Sequence, residues 1–270
     1  QGLLAYSTIE NNGLILAAVG ISLIAAGYGL GALADLALLA GLFMVIAHAA
    51  AKSGLFLFAG HLVRSSGSPA LNSDRFPRPP AGTFAGGVTV AGLSLAAAPP
   101  MAGFVGEWLI LETLFQSFRI PSLLYQLLGL LTGALLALAA GLMIVAMTKF
   151  VGYGALGRSR ADAVHGPARS MGTVVLALGG LAAGLGVAAP WMLDALAPVA
   201  GFVSGRSVSA PLGTLLGLPG GWTIVSGAPF GAFTPTAIPI ALGLGALVAV
   251  GYAALGGPMR PRHSPVWMSG

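Results

Sequence analysis

Long apolar runs, rather than an alternation of apolar and polar positions, set the pattern of this chain. Runs bounded by charge, proline or Gly/Ser clusters fall at about 12–31, 36–63, 82–117, 122–152, 171–196 and 236–256. A bilayer span needs about 20 mostly apolar residues, so the pattern predicts an all-α, polytopic transmembrane helix bundle of about six spans. The third run is too long for one plain helix. It contains Ala98-Pro99-Pro100-Met101-Ala102-Gly103, and paired prolines followed by glycine interrupt the backbone hydrogen-bond ladder, which predicts two half-helices broken in mid-membrane. A simple kink packed against neighbouring helices is the alternative. A Gly/Pro/Ser-rich stretch at 197–235 has Arg206 as its single charge and Trp222 and Phe230 as interfacial anchors, and reads as an external loop. The predicted organisation is therefore a transmembrane core over 1–196, this loop over 197–235, a last transmembrane helix over 236–257 and a cytoplasmic tail over 258–270.

Composition sharpens the class. Hydrophobic residues make up 56 % of the 270 and charged residues 7 %, with a mean hydropathy of +0.91, far too little charge to cover a water-facing surface. A soluble enzyme is excluded. The absence of cysteine removes thiolate-held iron–sulfur clusters, cysteine zinc sites, disulfides and thiol nucleophiles together, so any electron transfer takes place on another chain. The isoelectric point near 10.1 does not point to nucleic acid, because the basic residues are scattered and not interleaved with aromatics. Topology accounts for them better. Alternating six spans puts Arg64, Arg75, Arg78, Arg158, Arg160, Arg169, Arg260 and Arg262 on one side and Arg119 and Arg206 on the other, and the richer side is expected to be cytoplasmic. The chain opens at Gln1 with neither an initiator methionine nor a signal-peptide pattern, and reads as a fragment.

Ionisable residues inside apolar runs are costly and are candidates for function by default. His48 and Lys52, four residues apart in the second run, share one helical face; both residue types can change charge out of water, as a proton relay requires. A static polar contact is the alternative. Glu107 follows the break, placed by the sequence in the first turn of the second half-helix, where free N–H groups would stabilise a carboxylate and the break would admit water. It reads as a carboxylate on an ion path or as a cap. Glu10, at the predicted start of the first span beside Asn11 and Asn12, reads equally as an N-terminal cap or a relay carboxylate. Lys149 reads as a further relay candidate or, being near enough to a helix end, as a snorkelling lysine. Glu112, His61 and Asp194 read as interfacial, Asp35 as a loop residue, and His165 and His263 as solvated. No HxxxH or HExxH pattern and no nucleotide-binding glycine fingerprint in a strand-turn-helix context is present, so neither a metal nor a cofactor is expected on this chain.

Four segments, LLAYSTIENNGLI, IAHAAAKSGLFLFAGHL, LAAAPPMAGFVGEWLI and AMTKFVGYGALGRSRAD, occur in an order and spacing that resembles the antiporter-like, proton-conducting membrane subunits of respiratory complex I and of group 4 hydrogenases. The Glu-Asn of the first, the Lys-Phe-Val-Gly of the fourth and the late SPVW look most like the large antiporter-like subunit of hydrogenase-4 and formate hydrogenlyase, with the complex I chains as the nearer alternative. The resemblance implies the C-terminal portion of a subunit of roughly fourteen helices that moves protons or sodium ions across the cytoplasmic membrane, driven by redox chemistry in partner subunits of a hydrogenase or NADH-quinone oxidoreductase assembly. It implies that His48 and Lys52 match a central relay pair, Glu107 the acid or lysine ending a half-channel at the broken helix, and Lys149 a lysine of less settled role. A second histidine of the family pattern is Met44 here, which implies a shorter relay or one dependent on water. A stand-alone cation/proton antiporter and a structural membrane anchor are the rival readings.

Overall fold

The computed structural model describes residues 2–66, 82–156, 169–215, 218–225 and 231–256. Its helices are α1 (Gly2–Gly27), α2 (Gly31–Ser66), α3 (Gly82–Leu95), α4 (Ala102–Phe115), α5 (Leu123–Gly154), α6 (Arg169–Val187), α7 (Ala189–Ser204) and α8 (Ala237–Gly256), with a 3₁₀ turn at Gln116–Arg119. Among the described residues four helices, α1, α2, α5 and α6, are long and apolar enough to cross a membrane. The described residues form a predominantly α-helical bundle.

Helix α2 is the hub, packed on α1, α3, α4, α6 and α7. Small residues let these helices approach closely, which in lipid replaces the hydrophobic drive. Gly41 rests on Ala18 across the α1–α2 seam, and a Cβ on Gly87 would collide with the backbone of Val175 and Leu176 in α6. Two large cores result. One lies between α1, α2, α4 and α7 around Phe43, Leu109 and Leu193. The other gathers Phe58, Phe84 and Phe150 from α2, α3 and α5 in edge-to-face contacts at 5.4–5.7 Å.

The break in the third run is present, and its local chemistry is visible. After Leu95 the chain turns through Ala97 at φ 49° and the Pro99-Pro100 pair before α4 starts at Ala102. The Ser94 hydroxyl at the end of α3 accepts a hydrogen bond from the Gly103 N–H at 3.2 Å, satisfying one of the free donors of α4. Gly103 is required by this closeness, because a Cβ there would fall on the Ser94 carbonyl. Gly186 of α6 packs on Pro100 and Met101, so α6 covers one side of the break while Pro99 stays exposed.

Three expectations are corrected. The first span begins earlier than residue 12, because α1 starts at Gly2. The fifth run is two helices, α6 and α7, meeting at Ala188 just before Pro190, a proline at a first-turn position. The stretch 197–235 is not a loop throughout: α7 continues to Ser204, and a three-stranded antiparallel sheet follows, β1 (Leu212–Leu215), β2 (Leu218–Val225) and β3 (Ala232–Phe233). This sheet folds back onto the helices, with Phe233 on Phe104 and Trp108 of α4, and Trp222 on Trp191 of α7. Phe230 lies outside the described residues.

Both ends of the bundle can be identified from contacts. At one end Tyr28, between α1 and α2, meets Tyr125 of α5 at 6.0 Å, and Arg206 after α7 pairs with Asp35 at 2.9 Å. Asp35 is therefore a helical residue in an ion pair, not a loop residue. At the other end Gly154 of α5 packs on Phe58 and Leu62, and Gly172 of α6 on Thr83 and Phe84. The arginines at 75, 78, 158, 160, 260 and 262, with His165 and His263, lie outside the described residues.

Candidate functional site

Helix α1 buries one face, Leu4, Ser7, Asn11, Leu14, Ala18 and Ile21, at helical spacing against α2. The two run antiparallel, with Gly41 beside Ala18 and Lys52 beside Ser7. That register brings Glu10 level with Ala49, between His48 and Lys52. Helix α4 joins the same seam through Gly106, which packs on Met44 one turn before His48; Glu107 is its next residue. Four ionisable side chains from three helices thus converge on one seam, Lys52 and Glu107 buried and Glu10 and His48 half-buried.

Lys52 is 6 % exposed. Its ammonium donates to the Ser7 hydroxyl and lies 5.7 Å from the centre of the Phe56 ring, a favourable cation–π distance. The charge on Lys52 acts on His48 and on Glu10, and that on Glu10 acts in turn on Glu107. Glu107 is buried to the same degree as Lys52. Among the described residues, buried side-chain atoms without a hydrogen-bond partner concentrate here: both carboxylate oxygens of Glu10, Oδ1 of Asn11 and Nδ1 of His48. Each such atom costs about 1–3 kcal/mol unless water or another polar group reaches it.

Glu10 is no N-terminal cap. It lies well inside α1, whose polar residues are accommodated by bonds back along the helix, Asn11 to the Ser7 carbonyl at 3.0 Å and Thr8 to the Leu4 carbonyl at 3.0 Å. Glu107 stands in the second turn of α4, not the first, and the Ser94 hydroxyl occupies the position expected of a cap. Both corrections remove the capping alternative and leave the carboxylates on the seam. Lys149 is exposed on α5 and is not brought to this seam. His61 is buried against Phe84 at 5.3 Å. Glu112 bonds Gln116, which in turn accepts from Arg119, at the end of α4. Ser7 was not singled out by its sequence; a Ser one turn before a carboxylate on the apolar face of a span was the available signal.

No group of three or more His, Asp or Glu side chains that could hold a metal ion occurs among the described residues.

The family model described as NADH:quinone oxidoreductase/Mrp antiporter, TM, matches residues 1–132. Formate hydrogenlyase subunit 3 of Escherichia coli (strain K12) is 32 % identical over 222 residues, 80 % of this chain and 36 % of that protein. Hydrogenase-4 component B of the same organism is 29 % identical over 206 residues, 73 % of this chain and 30 % of that protein. A chain in the structure of the Mrp complex from Dietzia sp. DQ12-45-1b aligns at 22 % identity with a TM-score of 0.41, covering 91 % of this chain and 26 % of that one. The chain spans about a third of the length of the curated relatives it matches.

Proposed function

We propose, for a chain whose residues 1–132 match the family model described as NADH:quinone oxidoreductase/Mrp antiporter, TM, that the α1–α2–α4 seam carries protons within a redox-driven membrane complex. The observation that carries this reading is the convergence of Glu10, His48, Lys52 and Glu107 on one seam beside a broken helix, with several of their polar atoms unpartnered. Static ion pairs in lipid are held in full hydrogen bonding because the alternative is so costly. A seam that retains titratable groups without fixed partners suits a path in which each group gains and loses a proton as its neighbours change charge.

In this account Lys52 and His48 exchange the proton near the middle of the membrane, and Glu10 connects them electrostatically to Glu107 at the half-helix. The chain does no redox chemistry itself. Its relatives are named as a formate hydrogenlyase subunit and a hydrogenase-4 component, and an assembly with hydrogenase-type partner subunits in the cytoplasmic membrane fits those names, with the arginine-rich end of the bundle facing the cytoplasm. The remaining division, a last span over 236–257 followed by a cytoplasmic tail over 258–270, belongs to the same proposal. Lys149 stays outside the path.

Glu107→Gln tests the reading. It keeps the size of the side chain and an acceptor oxygen but removes the titratable group, so the complex should assemble while proton translocation falls at least about tenfold. Normal pumping by an assembled Glu107→Gln complex would refute the path and leave this chain as an anchor.

A further inference from the structure

Two clefts flank the α1–α2 contact. One, of about 600 Å³, is lined by a single face of α2 that includes His48, Lys52, Ser53 and Phe56. The other, of about 530 Å³, lies between α1 and α5 and is lined by Tyr6, Ser7, Glu10, Leu142 and Met143 among others. No residue lines both. The polar link between them is the bond from Lys52 Nζ to Ser7 Oγ.

Ser7 is fully buried, and its own hydroxyl hydrogen goes to the Leu4 carbonyl at 2.9 Å. Its oxygen therefore accepts on one side and donates on the other, the wiring that passes a proton without holding one. The Leu4 carbonyl also accepts from Thr8, so the Ser7 hydrogen can leave it without orphaning that oxygen. Glu10, one turn further along α1 and lining the same cleft, offers two buried carboxylate oxygens with no hydrogen-bond partner.

We infer that the Ser7 hydroxyl passes protons between Lys52 and Glu10, making the α1–α5 cleft a lateral branch of the seam. The inference rests on Lys52 being a proton carrier, as proposed above. In the step, a proton leaves Lys52 Nζ for Ser7 Oγ as the hydrogen on Oγ moves to the Glu10 carboxylate, directly or across one water. Lys52 ends as the amine, Glu10 as the carboxylic acid, and Ser7 is unchanged; the reverse transfer resets all three.

The test is proton uptake by vesicles holding the complete subunit in its assembled complex, normalised to subunit present. Ser7→Ala should lower uptake at least about tenfold, and Ser7→Thr, which restores a hydroxyl, should recover most of it. Ser7→Val, isosteric with Ser7→Thr but without the hydroxyl, should behave as Ser7→Ala, so the Thr and Val pair decides the matter should Ser7→Ala assemble poorly. Adding Glu10→Gln to Ser7→Ala should cost less than the two single losses combined, because the two share one step; fully additive losses would mean that Ser7 merely holds Lys52 in place and would overturn the inference. Wild-type uptake by Ser7→Ala and Ser7→Val, with Lys52→Met inactive, would overturn it while leaving the proposed path standing. Wild-type uptake by Lys52→Met would remove both.

Discussion

Two stretches of α2, nearly two turns apart from Lys52 to Phe58, solve the problem of a membrane interior in opposite ways. Around Phe58 the helix meets α3 and α5 through interlocked rings: Phe58, Phe84 and Phe150 are almost wholly buried, and His61 closes the group with its ring edge on Phe84. Around His48 and Lys52 the same helix, equally apolar in composition, meets α1 and α4 through ionisable side chains with unpartnered atoms. The first stretch is close-packed, and any change of volume is felt there. The second gives up packing and hydrogen bonding that a scaffold would keep. Under the proposed function, the difference separates the part of α2 that holds the bundle together from the part that carries protons.

The comparison can be broken first at the backbone that positions α4. Gly103→Ala would place a methyl group on the Ser94 carbonyl, forcing α3 and α4 apart where α6 covers one side of the break. Backbone cannot yield as a flexible side-chain end can, so the assembled subunit should be lost from membranes, measured by immunoblot of the purified complex. Next, Phe58→Ala should remove about 3–5 kcal/mol of packing from the aromatic stretch and lower the thermal transition of the purified complex. Proton translocation per assembled subunit should remain close to wild type at low temperature. Selective loss of transport in an otherwise stable Phe58→Ala complex would erase the distinction between the two stretches. Smallest is Arg206→Ala, which breaks the partly exposed pair with Asp35. A pair of that kind contributes about 0–1 kcal/mol, so neither stability nor transport should change measurably.

How far the sequence carried these conclusions depends on where the deciding interaction lies. The spans were legible because apolar runs are a local property, and the break because Pro99 and Pro100 interrupt the ladder whatever surrounds them. His48 and Lys52 stood out as charge in an apolar run. Glu10 was harder to place. Its neighbours Asn11, Asn12 and Gly13 carry the chemistry of a helix start, yet in the bundle Asn11 bonds back to Ser7 and the helix runs through all of them. The register of α1 on α2, set by small residues such as Gly41 and Ala18, is a property of two helices at once and has no one-dimensional signature. The sheet after α7 had a local signal, the β-branched run Thr223-Ile224-Val225 after Gly220-Gly221, but the surrounding glycines and prolines read more strongly as loop.

The central claim is that the seam around Lys52 works by changing charge, and it is tested most directly at Lys52 itself. Lys52→Met keeps much of the apolar stem and removes the titratable nitrogen; Lys52→Arg keeps the charge but cannot release its proton. The measurement is proton uptake by membrane vesicles holding the assembled complex, per subunit present, with the redox reaction of the partner subunits supplied. The account predicts that both variants assemble and both lose most of their uptake. Uptake at the wild-type level in the Lys52→Met complex would contradict it.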